Sequence, residues 1–476
     1  MFLKKFLILT LCLPFFSILA RAQQDSILTL QRCIDVAIQN NFTIHQSEAQ
    51  MQLNRISWIQ ARENLLPTIN SDLSNSLNNG RSIDPTSYSY INQQQTSGTY
   101  NLYGGLVLFN GLTLQNNIKQ ASLAYQAGKM DFQQAKDITT LNVITAYLSV
   151  LNSGDQLKQA NYQVEVSQKQ VERQGILDKA GNDKPSDFSD IKGSLATSQL
   201  AVINNKNNFD IARLSLLQIM NVPYSRNLQL QPLKADEVPL QFKGTSDEVL
   251  NYALNNLPGV KAATLRRQSA EKGVTAAKGA LFPTLSLSGG LGTNYSSVSQ
   301  RSVLVDSTIV PTNAFTGSGA TKQTVFTTKN NFANQNISFS DQFKNNYSTY
   351  VSLGLHIPIL NYFRNKNNVS IAKINLFTAR FTEENIKVQL KQNVETAYVN
   401  MTAAYNRYQI LLDQVNAYTQ SFHSAEIRYN AGVLTSVDYI ITKNLLDQAN
   451  INLISARYDY FIRIKILDYY QGKLTL

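Results

Sequence analysis

The 476-residue chain is an internal duplication, and that property limits its fold more than any other. At an offset of 251 residues, Thr145-Ala146-Tyr147 falls on Thr396-Ala397-Tyr398 and Asn116-Asn117-Ile118 on Asn367-Asn368-Val369. Ala180-Gly181 falls on Ala431-Gly432, and Asp187 on Asp438. The match runs without a gap across 112–221. Upstream the offset is 216: Leu65-Leu66-Pro67-Thr68 falls on Leu281-Phe282-Pro283-Thr284, and Ala37 and Asn40 on Ala253 and Asn256. The difference of 35 residues is an insertion in the second copy, between Pro283 and Asn361. Two copies of one unit, with the insertion confined to an exposed loop, set the architecture.

Each copy reads helix, strand, loop, strand, long helix, turn, helix. Ser26 to Asn64 has helical spacing, with Ile27, Leu30, Ile34, Ala37 and Ile38 on one face, and Pro67 closes it. Asp247 to Ala280 repeats this before Pro283, with Ser246 as the expected N-cap. Strands are expected at about 68–78, 100–109, 284–296 and 347–357. The alternation is clean in the second copy. Leu285, Leu287, Gly289 and Leu291 face one way, against Thr284, Ser286, Ser288 and Gly290. Thr349, Val351, Leu353 and Leu355 do the same against Ser348, Tyr350, Ser352 and His356. Segments near ten residues, apolar on one face and small-polar on the other, suit transmembrane β-strands. Tyr295, Tyr347 and Tyr350 sit where an aromatic girdle would lie. The loops at 79–99 and 297–346 are rich in Ser, Thr, Asn and Gln and read as solvent-exposed.

The strongest local signal is a pair of very long helices. Val394, Tyr398, Met401, Tyr405, Tyr408, Leu412, Val415, Tyr418, Phe422, Ala425 and Tyr429 step by three or four without a break. The mean period of about 3.5 is that of a coiled-coil seam. No proline interrupts 364–429, a helix of about 100 Å at 1.5 Å per residue. Its equivalent spans 112–178. Each helix breaks at a glycine, Gly181 or Gly432, and Ser186 or Ser436 with Asp187 or Asp438 can start a return helix.

The N-terminus reads as a secretory signal at 1–22. Lys4 and Lys5 precede an apolar core from Phe6 to Leu19, followed by the Ala20-Arg21-Ala22 cleavage pattern. Removing Lys4, Lys5 and Arg21 lowers the formal net charge from +11 to +8, with the remaining charges dispersed. That is a solvated surface, not a nucleic-acid footprint. Cys33 is then the one cysteine, so no intrachain disulfide forms. Beyond the signal no apolar run approaches 18 residues. An exported chain of this kind is either free or inserts as a β-barrel. His45, His356 and His423 lie in unrelated contexts, and no nucleophile elbow, zinc-protease motif or P-loop occurs. The sequence therefore points away from an enzyme, a resident metal or a cofactor.

Four strands cannot close a barrel, and open edges are not tolerated in lipid, so the chain must oligomerise. Three copies give twelve strands and a ring of helices. The duplicated unit, the Leu-Pro-Thr before the first strand, Leu108-Phe109-Asn110-Gly111 after the second, and the paired Ala-Gly turns resemble the TolC-type outer-membrane efflux proteins. The resemblance implies a mainly α chain with a small β part. Long antiparallel coiled-coil hairpins would form an α-helical barrel tunnel, joined to a trimeric 12-stranded outer-membrane β-barrel. It also implies an exit duct for efflux or type I secretion, working with a periplasmic adaptor and an inner-membrane pump of the RND or ABC type.

The domain order expected is signal 1–22, repeat one 23–221, a linker or equatorial segment 222–245, and repeat two 246–476. Under the resemblance, Ala180, Gly181, Asn182, Ala431, Gly432 and Val433 are the adaptor-contact tips. Glu172, Arg173, Asp178, Lys179, Glu426 and Arg428 are the candidate periplasmic gate. The competing reading is a non-pore periplasmic coiled-coil scaffold or surface structural protein, which has no use for barrel-length strands.

Overall fold

The computed structural model describes residues 27–84, 88–179, 185–225, 228–232 and 241–474. The signal segment and the first tip residues, Ala180, Gly181 and Asn182, lie outside the described residues. In chain order the elements are α1 (Leu30–Asn40), α2 (Phe42–Glu63), β1 (Thr68–Asn78), β2 (Arg81–Ile83), β3 (Tyr90–Asn92), β4 (Gln95–Phe109), α3 (Thr113–Lys179) and α4 (Pro185–Met220). There follow α5 (Ser246–Asn256), α6 (Pro258–Gly279), β5 (Thr284–Ser296), β6 (Gln300–Thr316), β7 (Gln323–Asn336), α7 (Phe339–Asn345), β8 (Ser348–His356), α8 (Arg364–Asn430) and α9 (Ser436–Tyr470). The described residues form two compact units, one drawn from 27–54, 124–267 and 379–474, the other from 55–123 and 268–378.

The helical unit repeats its packing as it repeats its sequence. In the first copy Cys33 and Ala37 of α1, Val143 and Tyr147 of α3 and Leu216 of α4 share one buried cluster. Their counterparts Val249 and Ala253 of α5, Val394 of α8 and Leu467 of α9 occupy another. Cys33, Ala37, Val143, Leu216, Val249, Ala253, Val394 and Leu467 are all at 0% exposure, so the same knobs fill the same holes twice. The Tyr147 hydroxyl is buried there and donates to the Gln231 carbonyl at 2.7 Å, which satisfies it. Burial pushes the Cys33 thiol up to about 11, so this cysteine is packing and not a nucleophile.

Two starts differ from the sequence expectation. The helix expected from Ser26 to Asn64 is broken at Asn41, whose backbone is extended. Its side chain accepts from the Thr43 amide at 2.9 Å and donates to the Ile219 carbonyl at 3.1 Å. A capping side chain has thus divided an otherwise continuous helical pattern. The same break in the second copy is made by Pro258, the first residue of α6. The N-cap of α5 is Thr245 rather than Ser246, in a reciprocal capping box with Glu248.

The sheet unit holds a four-stranded antiparallel sheet in the order β1-β4-β5-β8. β4 begins at Gln95, five residues before the expected start. The polar loops are not structureless: 297–346 carries the β6–β7 hairpin and α7, and 79–99 carries the β2–β3 pair. The joint leading to each long helix is built twice from two consecutive left-handed residues. These are Gly111 (φ 63°) and Leu112 (φ 64°) in one copy, Tyr362 (φ 53°) and Phe363 (φ 55°) in the other. A Cβ at Gly111 would collide with the Gly279 carbonyl, so the first copy requires glycine there.

Candidate functional site

The sheet separates two chemistries. Register places Leu73 beside Tyr100, Leu102 beside Leu291, Leu106 beside Leu287, and Leu287 in turn beside Leu353. Paired residues of an antiparallel ladder share a face. One face therefore carries Ile69, Leu73, Leu102, Leu106, Leu285, Leu287, Leu291, Val351, Leu353 and Leu355. The other carries Thr68, Asn70, Asp72, Ser74, Asn101, Ser286, Ser288, Asn294, Ser352 and His356. Ile69 is 73% exposed and Val351 82%. A continuous apolar face this bare is a surface for lipid, not water.

Tyr295 lies on the apolar face, but Tyr350 lies on the polar one, opposite Gly290. A Cβ at Gly290 would sit 2.8 Å from the Tyr350 ring, so the glycine makes room for it. Tyr350 is accordingly no girdle residue. Its neighbour across Gly290, Tyr103, donates to Asp72 at 2.8 Å on the same polar side.

The second candidate site is the end of the helical hairpins. α8 stops in a Schellman motif: the Gly432 amide bonds to the Tyr429 carbonyl at 3.1 Å and the Val433 amide to the Arg428 carbonyl at 3.0 Å. Gly432 has φ 73°. Nothing lies within 4 Å of where its Cβ would be, so conformation alone demands glycine. α9 then starts at Thr435, whose hydroxyl accepts from the Asp438 amide at 3.2 Å and donates to its carboxylate at 2.8 Å. Ala431, Gly432 and Val433 are all exposed, Val433 at 70%.

Of the expected gate residues, Arg173 makes a cross-hairpin contact. Its guanidinium donates to the Asn430 side chain and, at 3.1 Å, to the Asn430 carbonyl. It also lies 5.6 Å from the centre of the Tyr429 ring. Glu172 accepts from Gln168 of its own helix at 3.3 Å. Asp178, Lys179 and Arg428 are exposed. Glu426 is half-buried and contributes to the field at the Tyr439 hydroxyl.

Beneath this contact lies a core that sequence spacing missed. Tyr429 donates to Gln174 at 2.7 Å, with both residues buried. Tyr429 stacks on Tyr439 at 4.6 Å, and Phe422 packs on the same ring at 5.5 Å. Ile191 of α4 closes the cluster. Among the described residues the buried Tyr439 hydroxyl has no hydrogen-bond partner, and desolvation, reinforced by Glu426, holds its pKa far above the ordinary range. Lys443 is also buried and is paired with Asp447 at 2.6 Å. The available signal was the aromatic seam, which marked Tyr429 and Phe422; their partners lie on other helices. Among the described residues no group of three His, Cys, Asp or Glu could hold a metal ion.

The sequence pattern of the outer membrane efflux protein family matches residues 33–222 and 249–468, the two repeats in turn. The chain belongs to the outer membrane efflux protein family. It is 24% identical over 430 residues to outer membrane protein TolC of Salmonella enteritidis, covering 87% of this chain and 76% of that protein. It is 22% identical over 449 residues to toxin and drug export protein A of Aggregatibacter actinomycetemcomitans, covering 90% and 83%. The crystal structure of outer membrane protein VceC from Vibrio cholerae superposes with a TM-score of 0.73 at 14% identity, covering 93% of this chain and 96% of that one. This family member is thus an outer-membrane efflux protein, with the α-helical tunnel and β-barrel fold.

Proposed function

We propose that three copies of this chain form a continuous exit duct, which receives substrate from an inner-membrane pump through a periplasmic adaptor. The observation that carries the reading is the sheet: four strands, one face for lipid, the other small and polar, with β1 and β8 as edges. Four strands leave two rows of unpaired backbone groups, which lipid does not tolerate. Pairing β8 of one copy with β1 of the next closes a barrel, and three copies give twelve strands. The polar face then lines the lumen. It is mainly Ser, Thr, Asn and Gly, with Asp72, Tyr103, Tyr350 and His356 among them, so it offers hydration with few charges, and cargo choice falls to the pump.

In this reading the turn at Ala431, Gly432 and Val433 is an adaptor-contact tip, with Ala180, Gly181 and Asn182 as its counterpart. The exposed Val433 supplies apolar area at the rim. The grip of Arg173 on Asn430 and Tyr429 ties one hairpin to the other and acts as a latch on the periplasmic mouth. Glu172, Asp178, Lys179, Glu426 and Arg428 supply the charge around it.

Conductance across planar lipid bilayers tests the duct. Purified protein is expected to give discrete steps, and Arg173→Ala to raise the step size or the open fraction. A protein that stays a water-soluble monomer without detergent and gives no steps would refute it.

A further inference from the structure

The 35-residue insertion of the second copy builds more than an outer hairpin. The outer loop it lengthens ends in α7, a seven-residue helix packed against β5. Phe339 lies 5.2 Å from Tyr295 and 6.1 Å from Tyr100, and Phe343 lies 6.0 Å from Tyr100, centre to centre. Tyr100 shares its face with Leu73, and Tyr295 shares its own with Leu285, Leu287 and Leu291. α7 therefore rests on the apolar face of the sheet and not on the polar, lumenal one.

Side-chain hydrogen bonds tie this short helix to β5 and to its own flanks. Gln342 is 1% exposed; its amide donates to the Ser296 carbonyl at 2.8 Å and the Ile337 carbonyl at 2.9 Å, and it accepts from the Ser296 amide at 2.8 Å. Ser338 caps the start at 3.2 Å. Thr293 donates to the Phe343 carbonyl at 3.0 Å, and Asn346 donates to the Asn294 carbonyl at 2.9 Å. These bonds satisfy the Ser296 amide and carbonyl at the end of β5 and the Phe343 carbonyl of α7, as proximity to lipid requires of exposed backbone groups. Phe339 and Phe343 are nevertheless 49% and 46% exposed. Asp341 and Lys344 are exposed as well.

Height along the sheet fixes the setting. From Leu285 to Tyr295 the strand rises about 34 Å, which at a tilt of about 40° spans about 26 Å. That matches the apolar band of about 25 Å typical of outer-membrane barrels. α7 thus sits at the band's edge, at the strand ends remote from α6 and α8 in the chain. β5 is an inner strand of the sheet, so a neighbouring copy paired at β1 or β8 does not cover α7.

We propose that α7 is an interfacial anchor: its phenylalanine rings insert among outer-leaflet lipids at the headgroup boundary, with Lys344 reaching the lipid phosphates. The apolar side continues the lipid-facing band, and the charged residues belong in the hydrated zone. This rests on the barrel reading above.

The test uses tryptophan fluorescence of the full-length protein in proteoliposomes. Trp58, the single tryptophan, is changed to Phe. Phe343→Trp or Phe339→Trp then reports on α7, and Leu353→Trp on the mid-sheet face. Both α7 probes are expected to be quenched by lipids brominated near the carbonyl groups and protected from aqueous iodide. Leu353→Trp is expected to be quenched by deeply brominated lipids. If Leu353→Trp responds to deep bromine while both α7 probes respond to iodide alone, the anchor is overturned and the barrel stands. If no probe responds to brominated lipid, both fall together.

Discussion

Val351 and Ser352 are adjacent in β8 and point to opposite faces of the sheet, so a matched pair of arginine substitutions measures which face meets lipid. Val351 pairs with Gly289, near the midpoint between Leu285 and Tyr295, and is 82% exposed. Arginine on the lipid side at the midplane of such a barrel costs about 2–4 kcal/mol. Losing the valine side chain from lipid adds about 1 kcal/mol. Val351→Arg should therefore destabilise each copy by about 3–5 kcal/mol, a factor of at least one hundred in the folding equilibrium. Ser352 pairs with Ser288 on the polar face, and Ser352→Arg should cost about 1 kcal/mol or less, because a lumenal guanidinium stays hydrated. Heat-modifiable migration of detergent-extracted oligomers, with urea titration of folding into liposomes, reads the difference. Equal losses for the two variants, or a larger loss for Ser352→Arg, would refute the facing of the sheet.

Three further outcomes follow from the helical unit. Gly432→Ala meets no steric obstacle, so it should cost only the left-handed backbone penalty of about 1 kcal/mol. That appears as faster hydrogen exchange around the turn with the thermal midpoint little changed; a global loss would mean the turn is packed. Tyr439→Phe removes a buried hydroxyl that has no partner among the described residues, so thermal stability should hold or rise by up to about 1 kcal/mol, and a clear drop would reveal an unseen partner. Glu383 is buried, which pushes its carboxyl up, but bonds from Lys387, Thr264 and Arg267 outweigh this and hold it below the usual range. A depressed carboxyl adds stability above its unfolded value of 4.5 and loses it as pH falls through the lower folded value. Glu383→Gln should thus cost about 1–2 kcal/mol at neutral pH, since both cations remain part-solvated, and the deficit should shrink in acid. A deficit independent of pH would point to packing instead.

Much of this fold was legible because the chain states it twice. The offset of 251 carries α3 onto α8 residue for residue at both ends, and 216 carries α1 onto α5 and α2 onto α6. Periodicity exposed the coiled-coil seam, in which Val394, Met401, Tyr408 and Tyr429 are buried. The strand alternation revealed the two sheet faces, because a period of two leaves little choice once one face is apolar. What was hidden depends on side chains that choose distant partners. Asn41, the cap between α1 and α2, is also held by the distant Ile219 carbonyl, and Gln342 secures α7 by bonding to Ser296. The bond from Tyr429 to Gln174 spans the two hairpins. None of these has a local pattern. The insertion read as polar excursion because β6 and β7 expose both faces, which leaves no apolar alternation to recognise.

Topology in living cells is the most direct test of the duct. Single cysteines are placed at Ser318, in the turn between β6 and β7, and at Gly432, at the end of α8, and probed with a maleimide that cannot cross membranes. The native Cys33 stays silent, because it is fully buried and its thiol is pushed up to about 11. Labelling at position 318 in intact cells is expected, with labelling at 432 only after the outer membrane is permeabilised. The reverse pattern, or equal labelling of both sites in intact cells, would contradict an outer-membrane duct with its hairpin ends in the periplasm.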